Sequence, residues 1–176
     1  MHTRIAAVPS LCCRPKTSKV RTLFRLAGVF VLGFLIQMPC FAQQSLVGTY
    51  RLSSFVVDID GTLREPMGKT PRGCSVITPT HFIAVITGEG RKSNSSIQDE
   101  AALYDTLTAY SGEYRIEGNR LVTSVDASSD EIWNGTQQPR NFTVQGNHLV
   151  LTTDRAPFGP DPTKMFVVCT TWEIVE

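Results

Sequence analysis

Tyr110-Ser111-Gly112-Glu113-Tyr114-Arg115-Ile116, followed at once by Glu117-Gly118-Asn119, decides how the rest of the chain is read. Successive side chains of a strand point to opposite faces, so Tyr110, Gly112, Tyr114 and Ile116 share one side while Ser111, Glu113 and Arg115 share the other. The aromatic side faces inward. The Gly-Asn turn then sends the chain back as a hairpin. Working outward, Asp60-Gly61 and Gly146-Asn147 mark further hairpins, and β-rich runs fall at about 46–58, 72–78, 81–87, 109–117, 120–127, 138–145, 148–153 and 164–175. That is an antiparallel meander of eight strands. The spacing predicts one helix over 99–107, with Ser95, Ser96 or Asp99 as N-cap and acidic residues in its first turn.

The last strand repeats the alternation, with Phe166, Val168, Thr170, Trp172 and Ile174 on one face and Val167, Cys169, Thr171 and Glu173 on the other. A half-polar outer face fits a one-layer barrel better than a sheet buried on both sides. The first strand changes phase: Tyr50, Leu52 and Val56 share a parity that Phe55, Val57 and Ile59 do not. A bulge near Ser53-Ser54, of the kind that bends barrel strands, reconciles them. The fold class expected is therefore all-β, an eight-stranded antiparallel up-and-down barrel with one short helix.

Leu46-Val47-Gly48-Thr49-Tyr50-Arg51-Leu52-Ser53-Ser54-Phe55 with Asp60-Gly61, then Pro71-Arg72-Gly73-Cys74-Ser75-Val76-Ile77-Thr78-Pro79, resemble the opening of the bacterial and fungal lipocalin-like domain family. Thr108-Ala109-Tyr110-Ser111-Gly112-Glu113-Tyr114, Trp133-Asn134-Gly135-Thr136 with Arg140, Gly146-Asn147-His148-Leu149-Val150-Leu151-Thr152-Thr153 and Thr171-Trp172-Glu173 follow in that family's order. The resemblance implies a lipocalin-like barrel with a ligand cavity and no particular substrate. Gly48-Thr49-Tyr50 resembles the Gly-x-Trp of true lipocalins, with tyrosine in the tryptophan's place.

Ahead of the barrel, a basic stretch ending at Arg25 runs into eleven mostly apolar residues, Leu26 to Ile36, and then into Pro39-Cys40-Phe41-Ala42. This is the layout of a signal peptide over residues 1–42, leaving a barrel domain at 43–176. Eleven residues make about 16 Å of helix, roughly half a bilayer core, so no stable membrane anchor is expected after cleavage. The expected location is periplasmic or extracellular. Of the 17 basic residues, Arg4, Arg14, Lys16, Lys19, Arg21 and Arg25 precede Gln43, and no acid appears before Asp58. The rest of the chain carries eleven basic against sixteen acidic residues, a net charge of −5, which argues against nucleic-acid binding. Cleavage would leave Cys74 and Cys169, either one disulfide or two separate buried thiols.

The inward set supplies the candidate ligand-binding residues: Tyr50, Tyr110, Tyr114, Phe142 and Trp172 as aromatic wall, Trp133 as a cap over the mouth, and Arg140 as polar anchor. Arg140 shares parity with Phe142 and Val144, so its guanidinium either holds a ligand carboxylate or sits at the strand mouth, where it reaches solvent or pairs with a local acid such as Asp126 or Glu131. No catalytic residue, metal site or cofactor is expected. His81 and His148 belong to no ligand pattern, and the chain has no nucleophile elbow or P-loop. Asp99-Glu100 and Asp130-Glu131 are neighbours whose side chains diverge. Three sequons stand at Asn94, Asn134 and Asn141. The leading expectation is an exported barrel that binds a small hydrophobic or amphipathic molecule in its interior without catalysis. The alternatives are a compact isomerase or cyclase using tyrosine and arginine, and a packed barrel whose surface or loop 88–98 binds another envelope protein.

Overall fold

The computed structural model describes residues 45–92 and 96–175. The signal segment read at 1–42 and the sequon asparagine Asn94 lie outside them. All eight predicted strands form, as β1 (Gly48–Ile59), β3 (Arg72–Ile77), β4 (His81–Thr87), β5 (Leu107–Glu117), β6 (Arg120–Ser128), β7 (Gln137–Gln145), β8 (His148–Thr152) and β10 (Asp161–Ile174). Two three-residue strands are added, β2 (Thr62–Arg64) and β9 (Ala156–Phe158). Each of the eight pairs antiparallel with its neighbour along the chain, and β10 pairs back onto β1, from Tyr50 opposite Ile174 to Ile59 opposite Phe166. The sheet is thus a closed barrel, with no unpaired edge among these strands.

The bulge expected near Ser53-Ser54 is present, where the β1–β10 register shifts between Leu52 and Ser54. Tyr50 and Leu52 point inward before it, and Phe55 packs against the core after it. Beyond this point β1 exchanges β3 for β2 as its second neighbour, and β10 exchanges β8 for β9. The barrel wall changes its membership halfway up. The helix α1 (Ile97–Asp105) begins two residues before the predicted start, because Ser96 caps it, accepting from the Asp99 N–H at 3.2 Å. None of its residues is buried.

Inward parity in β5 is as read: Tyr110 and Gly112 are buried, while Tyr114 and Ile116 pack against the core. In β10, Trp172 is buried but Ile174 is largely exposed, because the strand ends there. The disulfide between Cys74 and Cys169 does not form. Cys74 is a free, exposed thiol opposite Arg51, whereas Cys169 is buried opposite Val56. β1 runs between β3 and β10, so the two cysteines are two strand spacings apart across the sheet, about 9.6 Å, and further displaced along it, from the level of Arg51 to that of Val56, beyond the ~7 Å that a disulfide spans between Cα atoms. The exposure of Cys74 also rules out two buried thiols.

Gly112 marks a second register shift, against β6, and a Cβ built there would stand 1.9 Å from the Ser124 carbonyl oxygen. That obstacle is backbone, which cannot swing aside. Gly112→Ala is expected to destabilise the barrel by at least about 2 kcal/mol, measured as a lowered urea midpoint with unchanged slope.

Candidate functional site

The interior is divided by height. At one end it is filled: Tyr50 donates its hydroxyl to the Leu46 carbonyl at 2.8 Å, Tyr114 donates to the Thr78 carbonyl at 3.0 Å, and both rings pack into the core. Toward the other end, where β1 finishes and β5 begins, a cavity of about 460 Å³ remains. That is the size range of pockets that enclose one small organic molecule. Phe82 and Trp172, 0% and 1% exposed, are the most deeply buried aromatics on its wall. Trp172 is held in place by an Nε1–H bond to Thr170 Oγ1 at 2.8 Å. Ala84, Ile86, Leu151, Phe55, Phe166 and Val168 continue the apolar wall.

The polar residues gather toward the rim. Arg140, Gln138, Thr108, Thr153 and Asp154 line the cavity there. Trp133 reaches it from a 3-10 turn (Glu131–Trp133) that is closed by the Asp130 side chain, which accepts from Ile132 N–H at 3.2 Å. Its ring meets Tyr110 edge-on with centroids 5.4 Å apart, a favoured aromatic geometry. The Arg140 guanidinium carbon lies 5.9 Å from the centroids of both rings, within cation–π range. Its Nη1 donates to the Pro139 carbonyl at 2.8 Å and to Gln138 Oε1 at 3.4 Å.

Of the residues singled out in the sequence, the structure brings Tyr110, Trp133, Arg140 and Trp172 together around the cavity. Tyr50 and Tyr114 belong to the filled end, and Phe142 packs against the core without lining the cavity. Arg140 does not take a local acid. Asp126 accepts from Ser111 and Glu131 from Asn134, and Arg140 makes no ion pair among the described residues. Asp154, on the same wall, is engaged from outside by the guanidinium of Arg120 and by Asn141 Nδ2 at 3.0 Å.

Phe82, Ala84 and Ile86 were missed in the sequence. They alternate cleanly with exposed His81, Ile83 and Val85, but both sets in β4 are mostly apolar, so parity alone assigns no inward face. Among the described residues, no group of His, Cys, Asp and Glu is placed to hold a metal ion, and no helix is long and apolar enough to cross a membrane.

A closed antiparallel barrel with an apolar internal cavity and a polar rim is a barrel of the ligand-binding kind. The lipocalin-like domain family matches residues 47–174, and the chain belongs to that family. No curated protein matches it.

Burial raises the hydroxyl pKa of Tyr110 above the ordinary 10.0, and the Arg140 charge and a hydrogen bond from it work against that rise. Burial also raises Tyr50 and Tyr114. The folded state therefore holds these protons to higher pH than the unfolded chain does. Their contribution is intact below the unfolded pKa and is lost as pH rises through and beyond it. Urea unfolding at about pH 8 and about pH 10.5 should show a loss of stability on going alkaline, smaller in Tyr110→Phe than in the wild type.

Proposed function

We propose that the chain is exported and that its barrel encloses one small, partly hydrophobic molecule, which it binds without chemical change. The observation that carries this is the cavity of about 460 Å³ above a filled barrel end, walled by Phe82, Trp172, Leu151 and Phe166. Removing the apolar surface of a ligand from water at about 25 cal/mol per Å² would supply most of the affinity, and the few polar rim groups its orientation. Export is supported by the basic, apolar and small-residue order of residues 1–42, which would place the barrel in a periplasm or outside the cell. Tyr110, Trp133, Arg140 and Trp172 are the ligand-facing residues in this reading, with Phe55, Phe82 and Phe166 added to them.

Two measurements test it. Intact mass of the chain recovered after export should correspond to cleavage after Ala42; recovery of the uncleaved chain from the cytoplasm alone would sink that part. Native mass spectrometry of the wild type should show an adduct of a few hundred daltons, released on denaturation. The adduct should disappear in Ala84→Phe, which fills the cavity from its wall, at unchanged fold by circular dichroism. An adduct that persists in this variant would place the bound molecule elsewhere.

A further inference from the structure

We infer that the molecule taken by this cavity is a singly charged anion, an amphiphile whose carboxylate or similar acid group sits at the rim against Arg140 and whose apolar body lies deeper, against Phe82 and Trp172. The inference rests on the binding reading above and names the ligand class for that same cavity.

Charge balance within the cavity points to an acid. Two charged residues line the cavity, Arg140 and Asp154. The Asp154 charge is already matched, because Arg120 pairs with one of its oxygens while Asn141 donates to the other. The Arg140 charge is not. Its donors meet only neutral acceptors, Pro139 and Gln138 at Nη1 and the Tyr110 hydroxyl, and the faces of Tyr110 and Trp133 attract the cation only weakly. The cavity therefore carries one uncompensated positive charge, on a half-buried side chain where screening by water is reduced. A guanidinium offers five N–H donors in a planar fork, and an ionised acid is the partner that matches both its charge and its geometry.

Position sets the orientation. Arg140 lies on β7 near the strand's start, with Gln138, and both belong to the rim, while the deepest wall is aromatic and aliphatic. An acid group bound at the rim keeps part of its hydration, whereas the same group placed against Phe82 would lose it without compensation. A neutral molecule leaves the guanidinium as it is, and a cation meets it with repulsion. The order of affinity for one apolar body is then acid above alcohol above amine.

Calorimetric titration of the full chain at neutral pH with decanoic acid, decan-1-ol and decylamine reads this order directly. Decanoate should bind about tenfold or more tighter than decanol, and decylamine weakest. Arg140→Met should abolish the preference, bringing decanoate and decanol to equal affinity, in a variant whose circular dichroism and urea midpoint match the wild type. Arg140→Lys should keep part of the preference, since a point charge replaces the fork. Equal binding of decanoate and decanol by the wild type, or a decanoate preference that survives Arg140→Met, overturns the acid assignment and leaves the cavity reading standing. Failure of all three to bind overturns both.

Discussion

The seam between β1 and β10 is the constraint on which the rest of the structure depends. Eight strands cannot bury an apolar face as an open sheet without leaving two edges, each a row of unpaired N–H and C=O groups. Pairing Tyr50–Ile59 with Phe166–Ile174 removes both edges at once. It also forces an interior just wide enough for side chains or for one small molecule. The bulge at Ser53-Ser54 is what permits this seam to run the length of β1: it turns the strand so that Leu52 below it and Phe55 above it both face the interior. Without the extra residue, Val56 would point into the cavity and Phe55 into solvent.

Once the barrel is closed, which part stays empty is decided by side-chain volume at each height. The lower part receives Tyr50, Tyr114, Ile77, Leu121 and Leu149, large residues that converge and are sealed by tyrosine hydroxyls on the Leu46 and Thr78 carbonyls. The upper part faces Ala84, Thr108, Val168 and Thr170, which are too small to meet across it. Strand exchange acts in the same direction, since β2 and β9 extend the wall beside β1 and β10 where β3 and β8 have ended. The two short strands therefore raise the side of the barrel nearest the cavity, and Ala156 of β9 and Phe166 of β10 form part of its lining.

These causes explain what could be read without coordinates. The eight long strands, the inward face of β5 and the bulge in β1 follow from alternation and turn residues, which are local properties of the chain. β2 and β9 escaped because Thr62-Leu63-Arg64 and Ala156-Pro157-Phe158 are too short to alternate and exist only through their pairing with longer strands. The cavity lining was half legible. Parity says that Tyr50, Tyr110 and Tyr114 all face inward, but not that Tyr110 meets the cavity while the other two fill the floor, because height depends on the stagger between strands. The proposed cysteine bridge failed for a related reason: an even count carries no information about the strand that lies between the pair.

Arg140 shows how the two levels meet. Its inward parity is a property of β7 alone, but its chemical state is also set by two other elements, through Tyr110 on β5 and Trp133 on the 3-10 turn, together with the Pro139 carbonyl of its own strand. Those partners hold the guanidinium by rings and neutral oxygens rather than by an acid. Its side-chain freedom is reduced while its charge stays unmatched. A cation ordered in this way would lose little further entropy on meeting an acid group, a gain that would add to the affinity supplied by burial of apolar surface. Asp154 would cancel that effect if it turned to Arg140. Arg120 and Asn141, both on the β6–β7 pair, hold it away. The charge of the cavity is thus governed from outside the barrel wall, by residues that do not line it.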